Sequence, residues 1–474
     1  MLRTLPFILF GCLLAGCAHF EPKPLSPTET ASSFENRTLD DAGLQAFIEK
    51  TPGRELSEWP PKRWNLELLT LAAFYYQPNL DVARAQWRVA EAAAISAGAR
   101  PNPTISFAPG YTANSAAGVT PWLMAAGFDW PVETAGKRGF RVAQAKQLAR
   151  AARFNLLTTA WKVRGDVRDA LAEYRFSGTQ TGVLGQRVAL QKEIVARLEE
   201  RQKSGAIASA DVTPARVALA KLEAELSVTR EAELAAAVRA AAAVGVPLRV
   251  FTNAPKEMTL YTPMLSDVLI AEAKQRALLH RSDLLAALAE YDASETALRL
   301  EIAKQYPDVH FNPNYEFDQG DHKWRLGLSL ELPVLNRNQG PIREAKAKRD
   351  EVAARFMALQ AKVISEIDAA AQNFQQVRQR HFDLIPSINA ELNHEHAMEA
   401  QVRAGAADAL DLLNIKLERL ISVAVWEEAG HRAEVAFGQL EDALQELPEM
   451  RAGIIAAAPP AHLEDNPREQ KANP

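Results

Sequence analysis

Three aspartates stand just after short Gly-Ala segments: Asp211 follows Gly205-Ala206, and Asp408 and Asp411 follow Gly405-Ala406. A carboxylate in the first turn of a helix can accept from the orphan backbone N–H groups and meets the positive end of the helix dipole. Pro214 fits a helix start beside Asp211, because the first turn has no use for its missing N–H. His394-Glu395-His396 sets two imidazoles two residues apart. On a helix they point to different faces, which does not make a metal site. The chain has no nucleophile elbow, phosphate loop or zinc-ligand cluster, so the reading is not an enzyme, with no cofactor and no resident metal. A net charge of −5 with both signs interspersed leaves no basic footprint, so nucleic acid is not an expected partner.

The remaining reactive group is Cys17. Met1-Leu2-Arg3 supplies a positive start, Leu5 to Leu14 an apolar run, and Leu14-Ala15-Gly16 small residues before the cysteine, which together make a secretory signal. Leu-Ala-Gly-Cys resembles a bacterial lipobox, with residues 1–16 removed and Cys17 lipidated. The alternative is an ordinary signal peptide with a chance cysteine. Cys12 lies in the removed part, so the mature chain cannot form an internal disulfide. Two or more acyl chains anchor stably where one does not. Ala18 after the cysteine, rather than aspartate, implies the outer membrane. Residues 17–63, opening with Glu21-Pro22-Lys23-Pro24 and Pro27, read as an extended tether.

Two classes of element would position such groups. Val309, Phe311, Pro313, Tyr315 and Phe317 alternate with His310, Asn312, Asn314, Glu316 and Asp318. After the Gln319-Gly320-Asp321 turn, Trp324, Leu326, Leu328, Leu330 and Leu332 alternate with Lys323, Arg325, Gly327, Ser329 and Glu331. Runs of about ten residues with one apolar and one polar face fit transmembrane β-strands around a wet lumen. The predicted strands are 104–111, 121–130, 309–318 and 323–332, with Trp122, Trp130 and Trp324 as lipid-interface aromatics. A soluble hairpin over a core is the competing reading. Four strands cannot close a barrel, and lipid forbids open sheet edges, so copies must associate. Counting alone allows a dimer or a trimer.

The rest is helical. The 474 residues are alanine-rich with only 23 glycines and 7% aromatics, which favours long, closely packed helices. Mean hydropathy is −0.18, which excludes a helical membrane protein. The order of motifs occurs twice: Pro103 to Phe107 parallels Pro307 to Phe311, Trp130-Pro131-Val132 parallels Leu332-Pro333-Val334, and Ser204-Gly205-Ala206 parallels Ala404-Gly405-Ala406. The offset drifts only from 204 to 200 residues, which marks a duplicated unit. Each unit reads as helix, β-hairpin, very long helix and helix, the first over 64–245 and the second over 266–446. Residues 246–265 connect them, and 447–474 form a mobile tail. Val142, Ala145, Ala149, Ala152, Leu156, Thr159 and Val163 step by three and four along the first long helix. Its roughly 70 residues would reach about 105 Å. Pro386 should interrupt the second long helix, and Gly178 to Gly185 should weaken the first.

These features resemble the TolC family of outer-membrane efflux ducts, lipoprotein branch. The likeness covers residues 60 to 446. It rests on the duplicated unit, Pro131-Val-Glu-Thr-Ala-Gly-Lys-Arg138, Leu332-Pro-Val-Leu-Asn-Arg-Asn-Gln-Gly340, and the Gly205/Asp211 and Gly405/Asp411 spacings. The Gly-Lys-Arg and Asn-Arg-Asn-Gln-Gly segments are nearest to the cobalt-zinc-cadmium resistance branch. The resemblance implies a mainly α fold with a transmembrane β-barrel: a homotrimer whose twelve strands cross the outer membrane above a periplasmic helical tunnel. It also implies a periplasmic adaptor and an inner-membrane pump of the RND type, with the duct as passive exit. Gly205, Ala206, Gly405 and Ala406 become the adaptor-docking tip, and Asp411, with Asp408 and Asp211, the gate candidates. Asn414 stands where the family's best-known member has a second aspartate. Three carboxylates about 6 Å apart would repel by roughly 3 kcal/mol per pair at an effective dielectric near 20, so such a ring favours cations. A type I protein-secretion duct and a non-conducting lipoprotein scaffold are the alternatives.

Overall fold

The computed structural model describes residues 19–50, 58–257 and 267–445. Two helices, α1 (Pro27–Glu35) and α2 (Ala42–Glu49), precede the duplicated part. The first unit comprises α3 (Leu66–Tyr76), α4 (Pro78–Ala97), β1 (Thr104–Tyr111), β2 (Trp122–Val132), α5 (Lys137–Lys203) and α6 (Ser209–Val244). A short α7 (Leu248–Asn253) leads to the second unit: α8 (Asp267–His280), α9 (Ser282–Ala303), β3 (Val309–Asp318), β4 (Asp321–Leu330), α10 (Gln339–Asp383), α11 (Ile385–Arg403) and α12 (Ala409–Leu444).

Helix α5 is the spine. Its 67 residues span about 100 Å at 1.5 Å per residue. It packs against α4, α6, α9 and α12, which share its length between them. The seam from Val142 to Val163 turns inward throughout, half-buried or buried. The helix also runs unbroken through Gly178, Gly182 and Gly185, against the expectation of a weak segment. Leu184 and Val188 are clamped there by Leu222 and Leu226 of α6, and packing of this kind outweighs local propensity. The second long helix does break. Helix α10 stops at Asp383 and α11 restarts at Ile385, because Pro386 has no N–H to give to the preceding turn.

The largest core lies part-way along the spine. Leu68 to Tyr76 of α3 are all buried there, with Leu156, Val163 and Val167 of α5 and Phe251 of α7. Leu39, Leu44, Phe47 and Ile48 belong to the same core. The N-terminal segment therefore differs from an extended tether: residues 19–26 have no regular structure, the chain turns helical at Pro27, and it docks from Arg37 onward. Buried Arg37 fastens it, its Nη1 donating to the carbonyls of Tyr76 (2.9 Å) and Gly245 (2.7 Å). The second unit has a smaller core at the matching level, with Ile367 and Phe374 of α10 against Leu440 of α12. The duplication reaches single hydrogen bonds. Gln77 Nε2 donates to Ala242 and Ala243 at the end of α6, and its counterpart Arg281 donates to Ala443 at the end of α12.

The four strands form one antiparallel sheet in the order β1-β2-β3-β4. Gln319 and Gly320, both at positive φ, make the two-residue β3–β4 turn that Asp318 and Asp321 flank. Strand β4 therefore starts and ends two residues earlier than predicted, before Pro333. Residues 1–18 with Cys17, the connection from 258 to 266 and the tail from 446 lie outside the described residues.

Candidate functional site

The register assigns every strand side chain to a face. Ile105, Phe107 and Tyr111 of β1 align with Phe128, Ala126 and Trp122 of β2; Ala126 and Trp130 align with Tyr315 and Phe311 of β3, and Tyr315, Pro313 and Phe311 with Trp324, Leu326 and Leu328 of β4. That face is apolar and open: Trp122 is 52% exposed, Trp130 53% and Trp324 80%. The other face carries Thr104, Ser106, Asp129, His310, Asn312, Asn314, Glu316, Asp318, Lys323, Arg325 and Ser329. Trp122, packed edge-on to Tyr111, and Trp324, against Tyr315, lie toward the turns, whereas Trp130 lies toward the helices. The nine residues from Trp122 to Trp130 cover about 26 Å of strand, close to the height of a lipid-facing band.

On the polar face most charges are matched. Lys323 donates to Asp318 (2.6 Å), Arg325 pairs with Glu316, and His310 Nδ1 lies 3.1 Å from Asp129. Where strands turn into helices, Lys137 and the Thr134 N–H both donate to Asp308 Oδ1 (2.7 and 2.9 Å). Burial alone would raise the Asp308 carboxyl, but these donors hold it below the usual aspartate value. This junction joins β2 of one unit to β3 of the other, so the two hairpins share one platform.

The Gly-Ala turns form the opposite end. Gly205 and Gly405 adopt φ of 77° and 72°, the left-handed conformation that glycine adopts without strain. Ala206 N–H donates to Arg201 O and Ala406 N–H to Gln401 O, each at 2.9 Å. A Cβ at either glycine would meet nothing within 4 Å, so these turns face open space. The three aspartates then part company. Asp211 reaches back to the Ala208 N–H at 2.9 Å. Asp408 caps α12 through the Leu410 N–H at 3.0 Å and also holds Arg201 of α5, joining the two turns. That guanidinium, with the Leu410 N–H, keeps the Asp408 carboxyl below its ordinary value. Asp411, in the same first turn, is exposed and makes no side-chain hydrogen bond or ion pair among the described residues. The Arg201 link and the His310–Asp129 pair escaped sequence reading, since partners 207 and 181 residues apart leave no local signal.

A sequence model of the family described as outer membrane efflux protein matches residues 73–246, the first of the two units. Over those residues the chain matches this outer membrane efflux family. Over 302 residues it is 27% identical to the cobalt-zinc-cadmium resistance protein CzcC of Cupriavidus metallidurans, covering 60% of this chain and 68% of that one. Its fold matches the outer membrane protein VceC of Vibrio cholerae with a TM-score of 0.64 at 21% identity, covering 80% of this chain and 95% of VceC. It also matches the outer-membrane channel OprN at 0.65 and 19%, covering 90% and 98%. This efflux protein thus has the fold of outer-membrane channels with a helical tunnel and a barrel, and serves as the outer-membrane channel of a tripartite efflux system. Members of the family act with adaptors and inner-membrane pumps and form trimers; their fold and family are those of passive channels. Among the described residues no helix is long and apolar enough to cross a membrane.

Proposed function

We propose that three copies of this chain form a twelve-stranded barrel and a tunnel that export transition-metal cations delivered by an RND-type pump through a periplasmic adaptor. The observation that carries this reading is the sheet with an unpartnered apolar face, a polar face and two open edges, set on a helix about 100 Å long. Strands β1 and β4 run in opposite directions, so β4 of one copy pairs antiparallel with β1 of the next and every edge is closed. Acylation of Cys17 adds a second hold on the same membrane. The cation cargo is argued from the likeness to CzcC and from the charge at the tip.

In this reading the tunnel narrows at the Gly-Ala turns, where the adaptor docks against Gly205, Ala206, Gly405 and Ala406. Asp411 is the gate residue, because Asp211 and Asp408 are committed to backbone amides and to Arg201. Three copies of Asp411 around the axis repel one another and draw cations in. D411A should raise single-channel conductance in planar bilayers or lower the preference for potassium over chloride; a variant unchanged in both removes Asp411 from the gate. Cells lacking this protein should lose tolerance to cobalt, zinc or cadmium. Intact tolerance with impaired secretion of a polypeptide would replace the cargo reading.

A further inference from the structure

The polar face of the sheet holds one imidazole close to the helices. His310 Nδ1 lies 3.1 Å from both carboxylate oxygens of Asp129. An ionised carboxylate only accepts, so Nδ1 carries a proton, and in the neutral form of the ring the lone pair lies on Nε2. That second nitrogen has no hydrogen-bond partner among the described residues. His310 also lines a cavity of about 550 Å³ with Lys137, Lys304, Asp308, Ser329 and Glu331. Both lysines are already matched, Lys137 by Asp308 (2.7 Å) and Lys304 by Glu301 (2.6 Å). Glu331 is exposed and has no ion pair among the described residues.

A neutral imidazole nitrogen fixed by a carboxylate on its far side is the usual arrangement of a metal-ligating histidine. Beside it stand an unmatched carboxylate and room for water. We infer that His310 Nε2 is the protein ligand of a weak station for a zinc-like cation passing from tunnel to barrel, oriented by Asp129 and completed by Glu331 and water. The inference rests on the cation-export reading and adds the place where cargo and wall interact. Among the described residues no three His, Cys, Asp or Glu side chains converge to hold a metal ion. A conducting path requires that weakness, since a station must release as readily as it binds.

The test is potassium current through the purified trimer in planar bilayers, with Zn²⁺ added from the barrel side so that the gate at the other end does not intervene. Zn²⁺ should lower the current and Mg²⁺ should not, because imidazole selects the softer ion. H310A should raise the half-blocking Zn²⁺ concentration at least about tenfold, and D129N about tenfold through loss of orientation. H310N keeps an amide donor for Asp129 and should also lose the block, which separates ligation from packing. Each variant's half-blocking concentration is read against its own potassium current without Zn²⁺. H322A serves as the control, its ring Nδ1 lying 2.6 Å from the Tyr315 hydroxyl. Absence of Zn²⁺ block in the wild type, or block in H310A and H310N equal to that of the wild type, overturns the station. Metal tolerance of cells lacking the protein judges the export reading separately.

Discussion

At Asp408 one side chain caps a helix and ties two turns together. Its bond with Arg201 is exposed, and a pair of that kind contributes less than about 1 kcal/mol. If the link between the two turns holds the tip closed, R201A should raise the open fraction of the channel by no more than about fivefold per protomer. The sign of its pH dependence follows from the depressed carboxyl: the link is fully present above the ordinary aspartate value of 3.8 and is lost only as pH falls through the lower value of the folded protein. Single-channel recordings should thus show wild type and R201A differing at pH 7 and 5 and converging in stronger acid. A wild-type channel that matches R201A already at pH 5 contradicts this link. Asp211 and Asp411 hold matching places in the two units, yet only Asp211 returns to its own backbone. Sequence could place all three aspartates at helix starts, but not say which one was left over. That depends on Arg201, which reaches Asp408 across the turn-to-turn gap.

The helices and strands were legible because their signals are repeated and local. Alternation fixed both faces of β3, and Pro386 marked the break in the second long helix. Two glycine effects were not legible. The glycines of α5 leave that helix whole because α6 packs on it. Gly165 and Gly438 act instead as a crossing point: a Cβ at Gly165 would lie 2.9 Å from Asp442 Oδ2, and one at Gly438 would fall on the Arg168 guanidinium. Arg168 is buried and bidentate to Asp442 (3.0 and 2.7 Å), stitching the spine of the first unit to the last helix of the second. G438V should push Arg168 off its partner and cost about 2–3 kcal/mol, since a buried charge without its counter-ion is expensive and Asp169 and Glu441 compensate only in part. Thermal unfolding of the detergent-solubilised protein measures it; a melting point within a degree of wild type rules out the stitch.

For the whole molecule, length and composition first suggest several soluble helical domains. The duplication instead makes one protomer whose strands alone are offered to lipid. Sequence showed that copies must meet but not how many, because the polar and apolar faces of four strands are the same in any ring. If Cys17 is the second hold on the membrane, C17A should melt at the wild-type temperature, because the core around Arg37 is untouched. It should nevertheless reach the outer-membrane fraction in lower yield. Equal yield would set the lipid aside.

The docking of Arg37 changes what such an anchor can do mechanically. The Tyr76 carbonyl it grips lies one helix of 20 residues, about 30 Å, from the start of the sheet. The roughly 20 residues between Cys17 and Arg37 can bridge that distance even with α1 coiled. Tension in this mooring line would therefore act on the tunnel well away from the barrel, with a lever arm of that length. Three such lines around the axis would resist sideways tilting when machinery in the other membrane pulls on the far tip, so the barrel need not carry the bending load alone.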